Sequence, residues 1–432
     1  MLRMTGCAAT FAIVLILGLG LGAIKRDAAS KTDHTPVHPA AEFVASLGVN
    51  VHMAYAWTSY GDERAVQRSL EYLGIRHVRD VLVPWEVARP KYEFMAAAGF
   101  KFDFVIPVID QKAEAGAFAA RVSELAHGHP GSVSAVEGPN EVNIWNVRAG
   151  EMTGLPAAAQ VQKDLHADIR SRTDLDQVPI YNLTLAYTDE QQFRALGALQ
   201  PPADFANSHA YVWSWGTPAE GLPYLIRFAK FSAPDKPVVI TETGYTVTPS
   251  DDYSGVTEYV QAVRTLQTYL DAFALGVKRT YLYELLDTER DPERKDSQKN
   301  FGLFRFDGTA KPAADGVRNL VSLLSRADGK SYANSGAARV AVEAPDDEFA
   351  KRLLFRREDG ALCLILWYES PLRAKGGGPL KGRERPFRLT FDRARPVTVA
   401  RILDRRQLNP AMLENSLELQ VGNEPLMVVF GD

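Results

Sequence analysis

The chain has 432 residues, is 46% hydrophobic and carries a net charge of −4. That length suits one large and one small domain, with ample apolar content for a buried core. The charge is small and its signs are mixed throughout, which excludes a nucleic-acid-binding surface.

The first 23 residues begin with Arg3 and continue into an apolar run from Cys7 to Ala23. Residues 1–26 read as a secretory signal peptide or an N-terminal membrane anchor. The run is long for a signal and slightly short of the roughly 20 residues a spanning helix needs. Lys25 and Arg26 follow it directly, and both readings stay open. Each predicts a secreted or periplasmic protein, or one held at the inner membrane by residues 7–23. Residues 27–42 are polar, with prolines and histidines, and are expected to act as a linker. Outside this segment the only cysteine is Cys363, so the mature chain has no disulfide.

From residue 43 the pattern alternates between apolar, β-branched runs and segments of helical period. The strands are expected at 47–53, 75–81, 102–108, 133–137, 178–185, 205–211, 236–241 and 278–285. Helices are expected at 65–73, 113–126, 157–170, 222–231, 256–273 and 313–324. A period near 30 residues matches a (β/α)₈ barrel, which uses about 250 residues for eight units. Strand–helix alternation implies a parallel sheet, and eight units favour closure. The barrel should span 43–328. From 329 to 432 the elements become short strands between turn clusters such as Glu358-Asp359-Gly360 and Gly376-Gly377-Gly378-Pro379. This segment reads as an antiparallel β-sandwich. Its acidic residues fall in turns, which gives no reason to expect catalysis there. The fold class is therefore α/β, a TIM barrel with a C-terminal all-β domain.

Two glutamates end apolar strands of the barrel. Glu141 lies in Glu137-Gly138-Pro139-Asn140-Glu141, and Glu242 in Val238-Val239-Ile240-Thr241-Glu242. Residues just past the C-terminal ends of barrel strands carry the chemistry of such folds. The two are 101 residues apart, about three units, which places them after strands 4 and 7. Facing carboxylates are what glycosidic hydrolysis needs, one to protonate the leaving oxygen and one to trap the sugar cation. Five of the six tryptophans, Trp57, Trp85, Trp145, Trp213 and Trp215, follow predicted strands. Their faces suit stacking on sugar rings, although about half are expected to pack under loops instead. Glu284 points to the same rim and is a candidate for binding sugar hydroxyls. The sequon Asn182-Leu183-Thr184 lies inside a predicted strand and carries no functional weight.

These residues resemble the clan of retaining glycoside hydrolases with (β/α)₈ barrels, and most of all glycoside hydrolase family 39. That family carries a C-terminal β-sandwich, and some members are membrane-anchored bacterial hydrolases encoded with exopolysaccharide machinery. The resemblance implies that Glu141 is the general acid/base and Glu242 the nucleophile. It implies that Asn140 bonds the sugar hydroxyl beside the anomeric carbon and that Glu137 supports the same strand. Arg79 would keep the nucleophile ionised. In His209-Ala210-Tyr211 the tyrosine would touch the nucleophile and the histidine would serve substrate or support. Phe301 to Pro312 resembles the segment leading into the last helix. Two departures bear on the sugar subsite. The usual Trp-Asn-Glu-Pro is Pro139-Asn140-Glu141-Val142, and the usual strand-8 tryptophan is Tyr281 or Tyr283. Trp213 is a further expected substrate contact.

The expected partner is a carbohydrate, with no cofactor and no metal. A metal-dependent hydrolase would need several strand-end histidines, and only His52 and His209 of eight are so placed. The competing class is a non-catalytic carbohydrate-binding or assembly protein of an exopolysaccharide system. The presence of both carboxylates together with Arg79 and Tyr211 argues against it.

Overall fold

Apolar runs that end in polar residues build the frame of the site. The computed structural model describes residues 35–83, 85–199, 203–325, 340–408 and 412–431. The signal or anchor segment lies outside the described residues. Among them, no helix is long and apolar enough to cross a membrane.

The chain opens with a short strand, β1 (Val37–Pro39), and a helix, α1 (Ala40–Ala45). Four parallel strands follow: β2 (Leu47–Asn50), β3 (His77–Val81), β4 (Lys101–Val105) and β5 (Val133–Glu137). A hairpin of two-residue strands, β6 (Arg148–Ala149) and β7 (Met152–Thr153), stands outside the barrel. The barrel continues with β8 (Ile180–Tyr181), β9 (Ala206–His209), β10 (Val238–Thr243) and β11 (Thr280–Leu282). The hydrogen-bonded order is β8-β5-β4-β3-β2-β11-β10-β9. A parallel bridge between Tyr181 and Phe205 joins the two ends of this sheet. All eight barrel strands thus overlap the runs read from the sequence; β4 begins one residue before its run and β10 ends two residues after.

Each strand is followed by a helix. The six expected ones are α2 (Glu63–Leu73), α4 (Ala115–Gly128), α5 (Gly154–Arg170), α7 (Pro218–Ser232), α8 (Glu258–Ala274) and α9 (Pro312–Ser325). Two more complete the ring, α3 (Trp85–Ala97) and α6 (Glu190–Leu196). Pro90 lies inside α3 and breaks the usual helical signal. Helix α6 has seven residues, and only Phe193 is buried, too little to show a period.

The C-terminal sheet contains β12 (Val340–Glu343), β13 (Ala350–Arg356), β14 (Leu362–Tyr368), β15 (Arg385–Arg401), β16 (Met412–Val421) and β17 (Leu426–Phe430). Its order is β1-β13-β14-β17-β15-β12, with β16 on β15. The register of β15 slips between Thr390 and Arg395, where the strand passes from its β12 pairing to its β17 pairing. Side chains alternate along β14: Leu364 and Leu366 enter the sheet's own core, while Cys363, Ile365 and Trp367 join the core shared with the barrel. All pairs are antiparallel except β1, which runs parallel to β13. The sequence reading of 27–42 as a linker is corrected for residues 37–42, while 27–34 lie outside the described residues. Val37–Pro39 pairs with Leu354–Arg356 and α1 begins at Ala40. Three residues with alternating exposure give no strand pattern of their own.

Helix α8 lies between the two layers and is buried almost all round. Its polar residues are paired across the junction: Arg264 Nη2 donates to the Ser370 carbonyl (3.0 Å) and Gln267 Nε2 to the Asn423 carbonyl (2.8 Å). The Glu369 carboxylate accepts the Ala219 N–H in the first turn of α7 (2.9 Å). Buried polar groups paired this way fix the sheet's position on the barrel.

Candidate active site

Arg79 on β3 organises the C-terminal mouth. All five of its N–H groups are used. Nε and Nη2 form a fork on Glu137 (2.8 and 2.8 Å), and Nη2 also reaches Asn140 Oδ1 (2.8 Å). Nη1 bonds Asn50 Oδ1 (2.9 Å) and Glu242 Oε1 (2.6 Å). Glu242 Oε2 accepts the Tyr211 hydroxyl at 2.8 Å. Both nucleophile-candidate oxygens are therefore oriented. The strand itself contributes: pairing of β10 with β9 skips at Thr241, a bulge that re-aims the residue after it.

Glu141 is held on a turn after β5. Its N–H donates to Thr184 Oγ1 (3.1 Å), and its φ of 44° is in the left-handed region that only a well-supported non-glycine residue occupies. Asn143 bonds the backbone of Ala186 in both directions (2.8 and 2.7 Å). The segment beyond β8 thus laces the turn in place. Gly138 is required here, because a Cβ would collide with the Gln162 side chain and the Leu183 N–H. Glu141 Oε1 lies 2.8 Å from His209 Nδ1, which is also 3.6 Å from Glu242 Oε2.

Burial opposes ionisation of Glu242, but the charges of His209 and Arg79 and the bonds from Tyr211 and Arg79 outweigh it. Its carboxyl is held below its ordinary value. Burial likewise opposes protonation of His209, and the charges of Glu242 and Glu141 win, raising it. Tyr211 is pushed well up by burial and by Glu242, so it stays a hydrogen-bond donor.

The other expected residues divide by burial. Asn140 gives its oxygen to Arg79, which leaves its amide N–H groups for a ligand. Glu137 is fully buried on Arg79 and Thr241 and is a supporting group without access to the cleft. Tyr283 packs its ring against Tyr211, Phe301 and His52 (6.4, 5.4 and 5.5 Å between centroids). It is the mouth aromatic of the last strand, since Tyr281 is buried against Gly48 inside the barrel. Glu284 is fully buried, 3.0 Å from His52 Nε2 and 3.1 Å from the Tyr60 hydroxyl. It holds His52 at the rim and does not itself face solvent. Trp213 is half-buried, its ring packed on a core that includes residues of α7 and β10 and over Gly216.

Asn50, Thr184, Thr241 and Tyr60 were not singled out by the sequence. Asn50 also donates to the carbonyls of Thr241 (3.0 Å) and Leu282 (3.2 Å), tying β2 to β10 and β11 beneath the site. A lone polar residue ending an apolar strand was the available signal, and it is a weak one.

Glu141, His209 and Glu242 turn one donor atom each into a common space, all within 4.8 Å of one another. Arg79 and Tyr211 each donate to one oxygen of Glu242, so a metal ion there would share those oxygens with both donors.

Solved structures resemble this chain over nearly its whole length. A glycoside hydrolase family 39 (GH39) enzyme from Xanthomonas axonopodis pv. citri is 13% identical, covers 92% of this chain and 96% of its own, and has a TM-score of 0.60. A monomeric β-xylosidase from Caulobacter crescentus CB15 is 13% identical, with 92% and 98% covered and a TM-score of 0.61. The chain has the two-domain GH39 fold. SrfJ from Salmonella typhimurium is similar too, at 11% identity and a TM-score of 0.54, covering 94% of each chain. No protein-family model and no curated protein matches the sequence. At such low identity the likeness speaks for the GH39 fold, and the chemistry has to be argued from the residues.

Proposed function

We propose that this protein is a retaining glycoside hydrolase that cleaves O-glycosidic bonds of a poly- or oligosaccharide through Glu141 and Glu242. The observation that carries the reading is the carboxyl spacing, with an oxygen of each within 4.8 Å. Retaining pairs lie about 5–5.5 Å apart, and inverting pairs about 6.5–9.5 Å, which leaves room for a water. The spacing supports the retaining class.

In the first step Glu242 attacks the anomeric carbon while the Glu141 carboxyl gives its proton to the leaving oxygen. The glycosidic bond breaks and a glycosyl ester forms on Glu242. In the second step Glu141 takes a proton from water, the water oxygen bonds the anomeric carbon, and the ester bond breaks. Arg79 and Tyr211 keep Glu242 ionised and oriented. His209 sits between the carboxylates and stabilises the charge that Glu141 carries between steps. Asn140 has free amide donors for the hydroxyl beside the anomeric carbon.

The reading extends to an extracytoplasmic substrate, an exopolysaccharide included, supported by the basic and then apolar start of the sequence. The Caulobacter crescentus relative in fold is a β-xylosidase, so aryl β-xylosides head the panel of test substrates. Following the anomeric signal by NMR during hydrolysis tests the mechanism. The first-formed sugar should keep the substrate's configuration, and an inverted product would overturn the retaining assignment.

A further inference from the structure

We infer that the catalytic mouth is a cleft open at both ends, which binds an internal stretch of a glycan chain and cuts within it. The inference rests on the glycosidase reading and concerns what lies either side of the reacting bond. Counted around the closed barrel, β2 and β8 are four strands apart in either direction, which makes them diametrically opposite. Exposed aromatic rings stand on the loops after both.

On the β2 side, His52, Tyr55 and Trp57 form a continuous stack, with centroids 4.9 Å apart at 7° and then 5.4 Å apart at 24°. The stack starts at the contact between His52 and buried Glu284 and ends in Trp57, which is 76% exposed. Its inner end is therefore fixed while its outer ring meets solvent. On the far side, Tyr187 follows β8 and is 77% exposed. After β5, the strand beside β8, Trp145 is 60% exposed and stands on the Glu141 turn, with its N–H bonded to the Glu141 carbonyl (3.0 Å).

The chemistry assigns the two sides. A general acid must sit beside the leaving oxygen, so a ring mounted on the acid's own turn borders the leaving-group half. The Trp57 stack, across the barrel, borders the half that carries the new reducing end. Flat aromatic faces suit the C–H faces of sugar rings, and exposing them to water is otherwise unfavourable. An enzyme that removes single terminal units needs binding surface on one side of the bond beyond the first sugar. This mouth offers it on both. Each cut consumes one water, giving one fragment a reducing end and the other a hydroxyl.

The test compares end-reduced xylan, β-1,3-glucan, mannan and galactan with 4-nitrophenyl monoglycosides of the same sugars. At least one polymer should lose mean chain length quickly, by size-exclusion chromatography, while few reducing ends have appeared. Trp57→Ala and Trp145→Ala should each lower the ratio of polymer to aryl-glycoside kcat/KM by about tenfold. Trp57→Phe and Trp145→Phe should keep most of that ratio. Three outcomes overturn the inference and leave the glycosidase reading intact: release of single sugars from the polymer ends, hydrolysis of aryl glycosides alone, or an unchanged ratio in both alanine variants. Hydrolysis of neither class would overturn the glycosidase reading itself.

Discussion

Arg79 divides its guanidinium between two carboxylates, forking onto Glu137 at 2.8 Å and touching Glu242 at 2.6 Å. Glu137 thus fixes the orientation in which the remaining N–H groups meet Glu242 and Asn140. A lysine has three donors on a single atom and cannot span these partners. Arg79→Lys should lower kcat at least a hundredfold on an aryl glycoside. Arg79→Met leaves Glu137 buried and unpaired, which should cost about 3–5 kcal/mol of stability by denaturant unfolding. Full activity in Arg79→Lys would show that Glu242 does not depend on this contact.

The acid/base turn depends in the same way on Thr184, whose hydroxyl accepts the Glu141 N–H at 3.1 Å. Thr184→Val keeps the shape and removes the acceptor. Glu141 then loses the bond that supports its left-handed backbone, and kcat should fall about tenfold. A drop in melting temperature without a change in kcat would mark Thr184 as structural only.

These contacts explain what could be read from the sequence and what could not. The barrel strands were legible mainly through apolar, β-branched runs such as those of β5 and β10 and through their regular spacing, and the position of Glu141 and Glu242 at strand ends followed from the period. Helix α3 was hidden by Pro90 and α6 by its length. Strand β1 was hidden because its partner, β13, lies more than 300 residues away in the sequence. Asn50 and Thr184 are single polar residues whose importance lies in what the fold brings opposite them.

The pH response follows from two opposite shifts. Burial favours neutral Glu242, but His209 and Arg79 hold it below its ordinary value of 4.5. Burial favours neutral His209, but Glu242 and Glu141 raise it above 6.5. Glu242 contributes stability above about pH 4.5, lost as pH falls through its lower folded value. His209 contributes stability below about pH 6.5, lost as pH rises through its higher folded value. The site should stabilise the fold most between the two, by melting temperature against pH. The acid limb of kcat/KM should lie below pH 4.5, where Glu242 takes up a proton. In His209→Gln the fall in stability on the alkaline side should vanish. If that variant keeps the parent's profile, the coupling of His209 to the carboxylates is wrong.

The two glutamates can be told apart by rescue. Glu242→Ala removes the group that forms the ester, so hydrolysis should stop. Azide, small enough for the emptied space, should then restore cleavage and give a glycosyl azide of inverted configuration, because a single displacement replaces two. Glu141→Ala should behave differently. A 4-nitrophenolate leaves without a proton, so the ester on Glu242 still forms, but its hydrolysis lacks a base. A burst of nitrophenolate followed by slow turnover is expected, and azide should speed turnover and give product of retained configuration. The assignment rests on position: Glu242 lies under the Arg79 and Tyr211 donors that keep it ionised, while the Glu141 carboxylate meets His209 and is the more exposed of the two. If azide rescued Glu242→Ala with retention, the roles would have to be exchanged. If both alanine variants kept the parent's rate, the chemistry would have to lie elsewhere.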